Sequence, residues 1–256
     1  MLRLFSSIRK SLLAENKTIR YLKYAVGEVL LIMVGILLAL QLNNWNEGRK
    51  LEQDRRELIE SLTTDFETNL KRLDESLLVA DKKEESAVAL LAASTENSTI
   101  SVNELKLLAT ESFLGGISFD PSLSAYRAAL ASGSIALIGN NSLYGLLTEF
   151  EEVFRAYIHL ENLGREHHFL GNISRLREKV GSIEILFLNS QVTSGLALPI
   201  PEKYALSNQE YLELIAEKEV YAAIASKREI KFRQRGRLRN LKALAEQILT
   251  ALEALD

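Results

Sequence analysis

The chain has 256 residues, 47% of them hydrophobic, and a formal net charge of -3, a balance that suits a sizeable core and excludes an intrinsically disordered protein. With charges so nearly even, no global field selects nucleic acid or a strongly charged substrate, and any electrostatic function has to be local. The absence of cysteine excludes disulfides and thiolate chemistry, while the only three prolines, Pro121, Pro199 and Pro201, leave room for long helices.

Residues 1–24 form a basic N-terminal segment. On a helical wheel Phe5, Ile8, Leu12 and Ile19 fall on one side and Arg3, Lys10 and Lys17 on another, the layout of a basic helix lying on anionic lipid headgroups. An ordinary positively charged flank accounts for the same residues equally well.

Residues 25–42 read as a transmembrane helix. Glu28 is the only charge from Ala25 to Leu42, and Val29 to Leu40 is unbroken apolar sequence. At about 1.5 Å per residue the segment covers roughly 27 Å, close to a hydrocarbon thickness of about 30 Å. Tyr21, Tyr24 and Trp45 supply interfacial aromatics at its two ends. A cleaved signal peptide fits less well, because a long polar stretch precedes the apolar run and no small-residue cleavage site follows it.

Arg3, Arg9, Lys10, Lys17, Arg20 and Lys23 load the N-terminal side of the span, which favours a cytoplasmic N-terminus and a periplasmic main domain. Arg49, Lys50, Arg55 and Arg56 soften that bias. Within the span, Glu28, Gly35 and Ala39 are spaced seven and then four residues apart and share a helix face. Small residues allow a second helix to approach, and a partner could satisfy the carboxyl. The plainer reading has Glu28 reaching the headgroups and Gly35 as an ordinary membrane glycine.

Residues 43–256 are expected to form an extramembrane helical domain. Leu51, Leu58, Leu62, Phe66, Leu70, Leu73 and Leu77 recur in steps of three, four and seven, the stripe of one long helix over 46–93. A polar loop over 94–101, a helix over 102–114 ended by Gly115-Gly116, and a helix over 122–131 follow. Ser132-Gly133-Ser134 reads as a turn. Asn141-Ser142 can cap a helix carrying Leu143, Leu146, Leu147, Phe150, Phe154, Tyr157 and Ile158, with helical pattern to about 188 and a break near Gly164 or Gly171. Residues 183–187 could form a short strand, 189–207 read as a linker, and helical spacing resumes from Asn208 to the end. The fold class is therefore all-α: one N-terminal transmembrane helix followed by an antiparallel bundle of long helices, with coiled-coil character, because the stripes need one another for burial.

Taken together, Glu15-Asn16-Lys17, Tyr21 through Glu28, Val34-Gly35-Ile36 and Ala39 through Glu47 resemble a bacterial family of unknown function. Its members have a short basic tail, one anchor helix ending in a Gln-x-Asn-Asn-Trp-Asn block, and a helical domain. Ser132-Gly133-Ser134 with Leu137-Ile138 and Asn140 is a second similar block. The likeness covers the first fifty or so residues and that block; it implies an inner-membrane location and transfers no activity.

Candidate chemistry is thin. His159, His167 and His168 lie near Glu161 and Glu166, but their spacing does not gather them on one face and no metal site is expected. No phosphate loop, dinucleotide fingerprint or nucleophile elbow is present, so neither a cofactor nor an enzymatic activity is expected. The run from Lys227 to Arg239, with Arg233, Arg235 and Arg237 at its centre, could grip a polyanion or anionic lipid, or pair with acidic faces of the same domain. Nucleic acid is not an expected partner of an outward-facing domain.

Two functions fit. The first is a membrane-anchored interaction or scaffold protein that holds another membrane protein or a second copy of itself. The second is a ligand-sensing helical domain that signals through a separate partner, since the residues before the span are too few to fold as an output domain.

Overall fold

A computed structural model describes residues 18–94, 98–113, 116–170 and 207–255. Among them every regular element is helical: α1 (Thr18–Ala93), α2 (Val102–Phe113), α3 (Ser124–Ser132), a 3-10 turn (Ser134–Ile138), α4 (Asn141–Leu170), α5 (Asn208–Ala216) and α6 (Lys218–Glu253). The basic segment with Arg3, Lys10 and Lys17, the strand expected at 183–187 and all but the last residue of the expected linker lie outside the described residues. The chain divides into two compact units, Met1–Glu57 and Leu58–Asp256.

In the first unit, α1 is apolar on every face over 29–40 rather than along one stripe. Its most apolar 18-residue window has a mean hydropathy of 2.3, and none of it is buried. By length and composition this helix can cross a membrane.

In the second unit, sequence periodicity turns directly into packing. On α1, Ile59, Phe66, Leu73, Ala80 and Ala87 recur every seven residues and all are buried. The first four share a core with Leu143, Leu147, Phe150 and Tyr157 of α4 and with Leu238, Leu241, Ala245, Ile248 and Leu252 of α6. Phe66 meets Phe150 edge-on with ring centroids 5.1 Å apart, an arrangement that adds to the burial of both rings. A second cluster joins Leu90 and Ala93 to Leu105 of α2, Tyr211 and Ile215 of α5, and Val220, Ala223 and Ile224 of α6.

The non-helical segment from 116 to 123 is held along α1 by polar side chains one helical turn apart. Ser76 Oγ donates to Ser118 O (3.0 Å), Arg72 to Asp120 O (2.8 Å) and Asn69 Nδ2 to Ser122 O (2.8 Å). Ser122 N donates back to Asn69 Oδ1 (2.6 Å), and Ala125 N donates to Asp65 Oδ2 (3.0 Å). These bonds satisfy a backbone that has no ladder or helix of its own. Tyr157 Oη completes the set by donating to Ile117 O at 2.6 Å.

Element ends follow their chemistry, with small departures from the sequence reading. Ser132-Gly133-Ser134 is a turn, as expected, with Gly133 at φ 77° capping α3, and Gly139 at φ 62° ends the 3-10 turn. The cap of α4 is Asn140, one residue earlier than expected: its Oδ1 accepts from Leu143 N at 3.1 Å. The helix runs through Gly164 unbroken, where a Cβ would meet Ile230 Cγ2 at 3.4 Å, and Gly171, the other position where a break was expected, lies outside the described residues. The C-terminal helical region is two helices, interrupted at Glu217, and α5 begins with a reciprocal Ser207–Glu210 capping box.

Candidate functional site

The basic run on α6 does not act as a single patch, because a helix sends successive residues in different directions. Three of its cations, with the neighbouring Lys242, turn toward acidic residues of α1. Arg228 Nε donates to Glu84 Oε1 at 2.9 Å, Arg235 and Arg239 reach Asp81 Oδ1 at 3.2 and 3.3 Å, and Lys242 reaches Asp74 at 2.7 Å. Arg235 also lies over the Phe232 ring, 5.3 Å from its centroid.

Arg233 and Arg237, one turn apart, face away from those acids. Arg233 is bound to Glu229 at 2.8 Å on its own helix. Arg237 is exposed and has no polar partner among the described residues. Together with Gly236, Asn240, Ala156, His159 and Leu160 they line a cleft of about 420 Å³ between α4 and α6. The lining holds two guanidinium groups, an imidazole and an amide, and no carboxylate. Gly236 leaves its floor open, with nothing within 4 Å of where a Cβ would stand. Of the sequence candidates, the structure thus joins Arg233 with Arg237 and separates Arg235 from both. His159, weighed above as a metal ligand, is one wall of this cleft; the side chains of His167 and His168 lie outside the described residues.

A second polar cluster went unread in the sequence. Lys231 is 7% exposed, and its Nζ donates to Ser112 O at 2.8 Å. Lys83 is hydrogen-bonded to it and donates to Glu111 O at 3.0 Å. Burial, with Lys83 and Lys227 close by, pushes the Lys231 amine down to about 6. Burial also lowers Lys83, against the pull of Glu111. Although burial works the other way on Glu111, bonds from Lys82 and from Ser86 (2.7 Å) hold its carboxyl below the usual range. The signal was available, since Lys231 sits on the seven-residue repeat of Ile224, Leu238, Ala245 and Leu252, all buried. A lysine on a core register is a buried lysine before it is part of a basic patch.

In the first unit, Glu28 is half-buried, while Gly35 and Ala39 are exposed. A Cβ at Gly35 would meet nothing within 4 Å. Trp45 is 64% exposed, with the Arg49 guanidinium 5.2 Å from its ring centroid.

The sequence pattern of one family, described as a family of unknown function (DUF6090), matches residues 28–222. Comparison with curated proteins and with solved structures returns no match.

Proposed function

The chain belongs to this family of unknown function, and from that premise we propose that it is a membrane-anchored helical interaction protein. The observation that carries the reading is an 18-residue apolar window none of whose residues is buried. From Val29 to Leu38 every large apolar side chain is more than half exposed, Leu31 reaching 69%. A core helix of a soluble protein buries such residues, whereas lipid covers them on all sides. Trp45 with Arg49 beside its ring suits the interface.

The anchor lies in a bacterial inner membrane with the N-terminus cytoplasmic and the second unit periplasmic, in keeping with the cations that precede the span. That unit is an antiparallel bundle. The ion pairs support this, since partners rise from Asp74 through Asp81 to Glu84 on α1 as they fall from Lys242 through Arg235 to Arg228 on α6. The exposed Gly35 and Ala39 suit contact with another membrane protein or a second copy, on the helix face that also carries Glu28.

Fractionation tests the anchor. The full chain is expected in the membrane pellet after an alkaline carbonate wash and in solution only with detergent. Recovery of the folded chain in the soluble fraction without detergent overturns the reading.

A further inference from the structure

The cleft between α4 and α6 carries an inference beyond anchoring, and one that does not depend on it. We propose that Arg233, Arg237, His159 and Asn240 form a binding site for a phosphate group. Three observations converge. Arg237 has no polar partner among the described residues, although Arg228, Arg233, Arg235 and Arg239 on the same helix are each paired. The N–H donors of its guanidinium are therefore open to an anion. The lining offers hydrogen-bond donors from two helices and holds no carboxylate of its own, the Glu229 that binds Arg233 Nε lying outside it. Finally, Gly236 stands between the two arginines where any larger residue would fill the floor, and its open position lets a ligand approach the helix backbone.

The donor set selects the ligand class. Two guanidinium groups one helical turn apart offer several N–H donors to the oxygens of one anion, and phosphate has enough oxygens to engage both. Asn240 supplies a neutral donor and His159 a further one at the opposite wall. A volume of about 420 Å³ admits more than the bare anion, so the phosphate belongs to a small ester or to a lipid headgroup.

The test uses the full chain in maltoside micelles, free of phospholipid, titrated with inorganic phosphate while the ring proton resonances of His159 are followed. The His159→Gln variant assigns them. Saturable shifts are expected, and Arg237→Gln weakens binding at least about ten-fold. Gly236→Leu does the same without changing charge. Arg239→Gln removes an equal charge from the same helix outside the cleft and is expected to stay within about two-fold. Glycerol 1-phosphate and a short-chain phosphatidylglycerol then compete separately. Displacement by the first identifies a soluble ester as the source, and displacement by the lipid alone identifies a headgroup; either supports the site. Non-saturating shifts, equal losses in Arg237→Gln and Arg239→Gln, or an unaltered Gly236→Leu overturn it.

Discussion

Lys83 of α1 and Lys231 of α6 are joined by a hydrogen bond between their amines, with Lys231 bonded onward to Ser112 O and Lys83 to Glu111 O. Two amines so placed cannot both hold a proton without repulsion in a poorly solvated space, so the pair ties the stability of this unit to pH.

The sign follows from the direction of the shift. Lys231 is held at about 6 in the folded chain against an ordinary 10.5, so between these values the unfolded state binds more protons. Stability therefore rises with pH across that window, and the cost of protonation is fully felt below about 6. Lys231→Met removes the titrating group. Thermal unfolding is expected to show the variant more stable than the parent at pH 6, with the gap narrowing toward pH 9 by up to about 1.4 kcal/mol per pH unit. Parallel profiles for the two proteins show that Lys231 does not titrate in this range.

Asn69 is fully buried, and both ends of its amide are used on Ser122. Asn69→Ala leaves the Ser122 N–H and C=O without partners along the segment that carries Ile117 and Phe119 into the core. A loss of about 1–3 kcal/mol is expected, since two partly buried backbone groups lose their bonds. Asn69→Asp keeps an acceptor for Ser122 N but not a donor for Ser122 O, and an intermediate loss is expected. Denaturant midpoints measure both; values within about 0.5 kcal/mol of the parent show that the segment is not fixed through Asn69.

Glycines of this unit divide by backbone conformation. Gly133 and Gly139 have φ of 77° and 62°, so Ala at either position is expected to cost about 1 kcal/mol, because a Cβ disfavours the left-handed region. Gly145 lies inside α4 with nothing within 4 Å of its missing Cβ. There Ala is expected to stabilise by about 0.5–1 kcal/mol. Opposite signs in chemical denaturation check the assignment, and a common sign for all three contradicts it.

What could be read in the sequence was what periodicity and turn chemistry encode locally. The stripe from Leu58 to Leu77, the turn at Gly133 and the long helix carrying Phe150 and Tyr157 were legible, because each rests on residues close in the chain. The polar contacts were not. Asn69 and Ser122 are 53 positions apart, and their pairing depends on how a non-helical segment lies against α1. The separation of Arg235 from Arg233 and Arg237 likewise depends on which helix packs on which side of α6. In sequence they are one basic run; in space Asp81 claims Arg235, and the cleft holds the other two.

The proposed orientation rests on the cations before the candidate span, and it can be measured directly because the chain contains no cysteine. Lys71 is exposed on α1, so Lys71→Cys places one thiol on the second unit without disturbing its core. A membrane-impermeant maleimide is expected to label this variant in intact spheroplasts to the same extent as after lysis. Protection in intact spheroplasts that is lost on lysis puts the second unit in the cytoplasm. The cations at Arg49, Lys50, Arg55 and Arg56 would then be the ones retained inside, and the N-terminal cations would have been translocated against the usual bias.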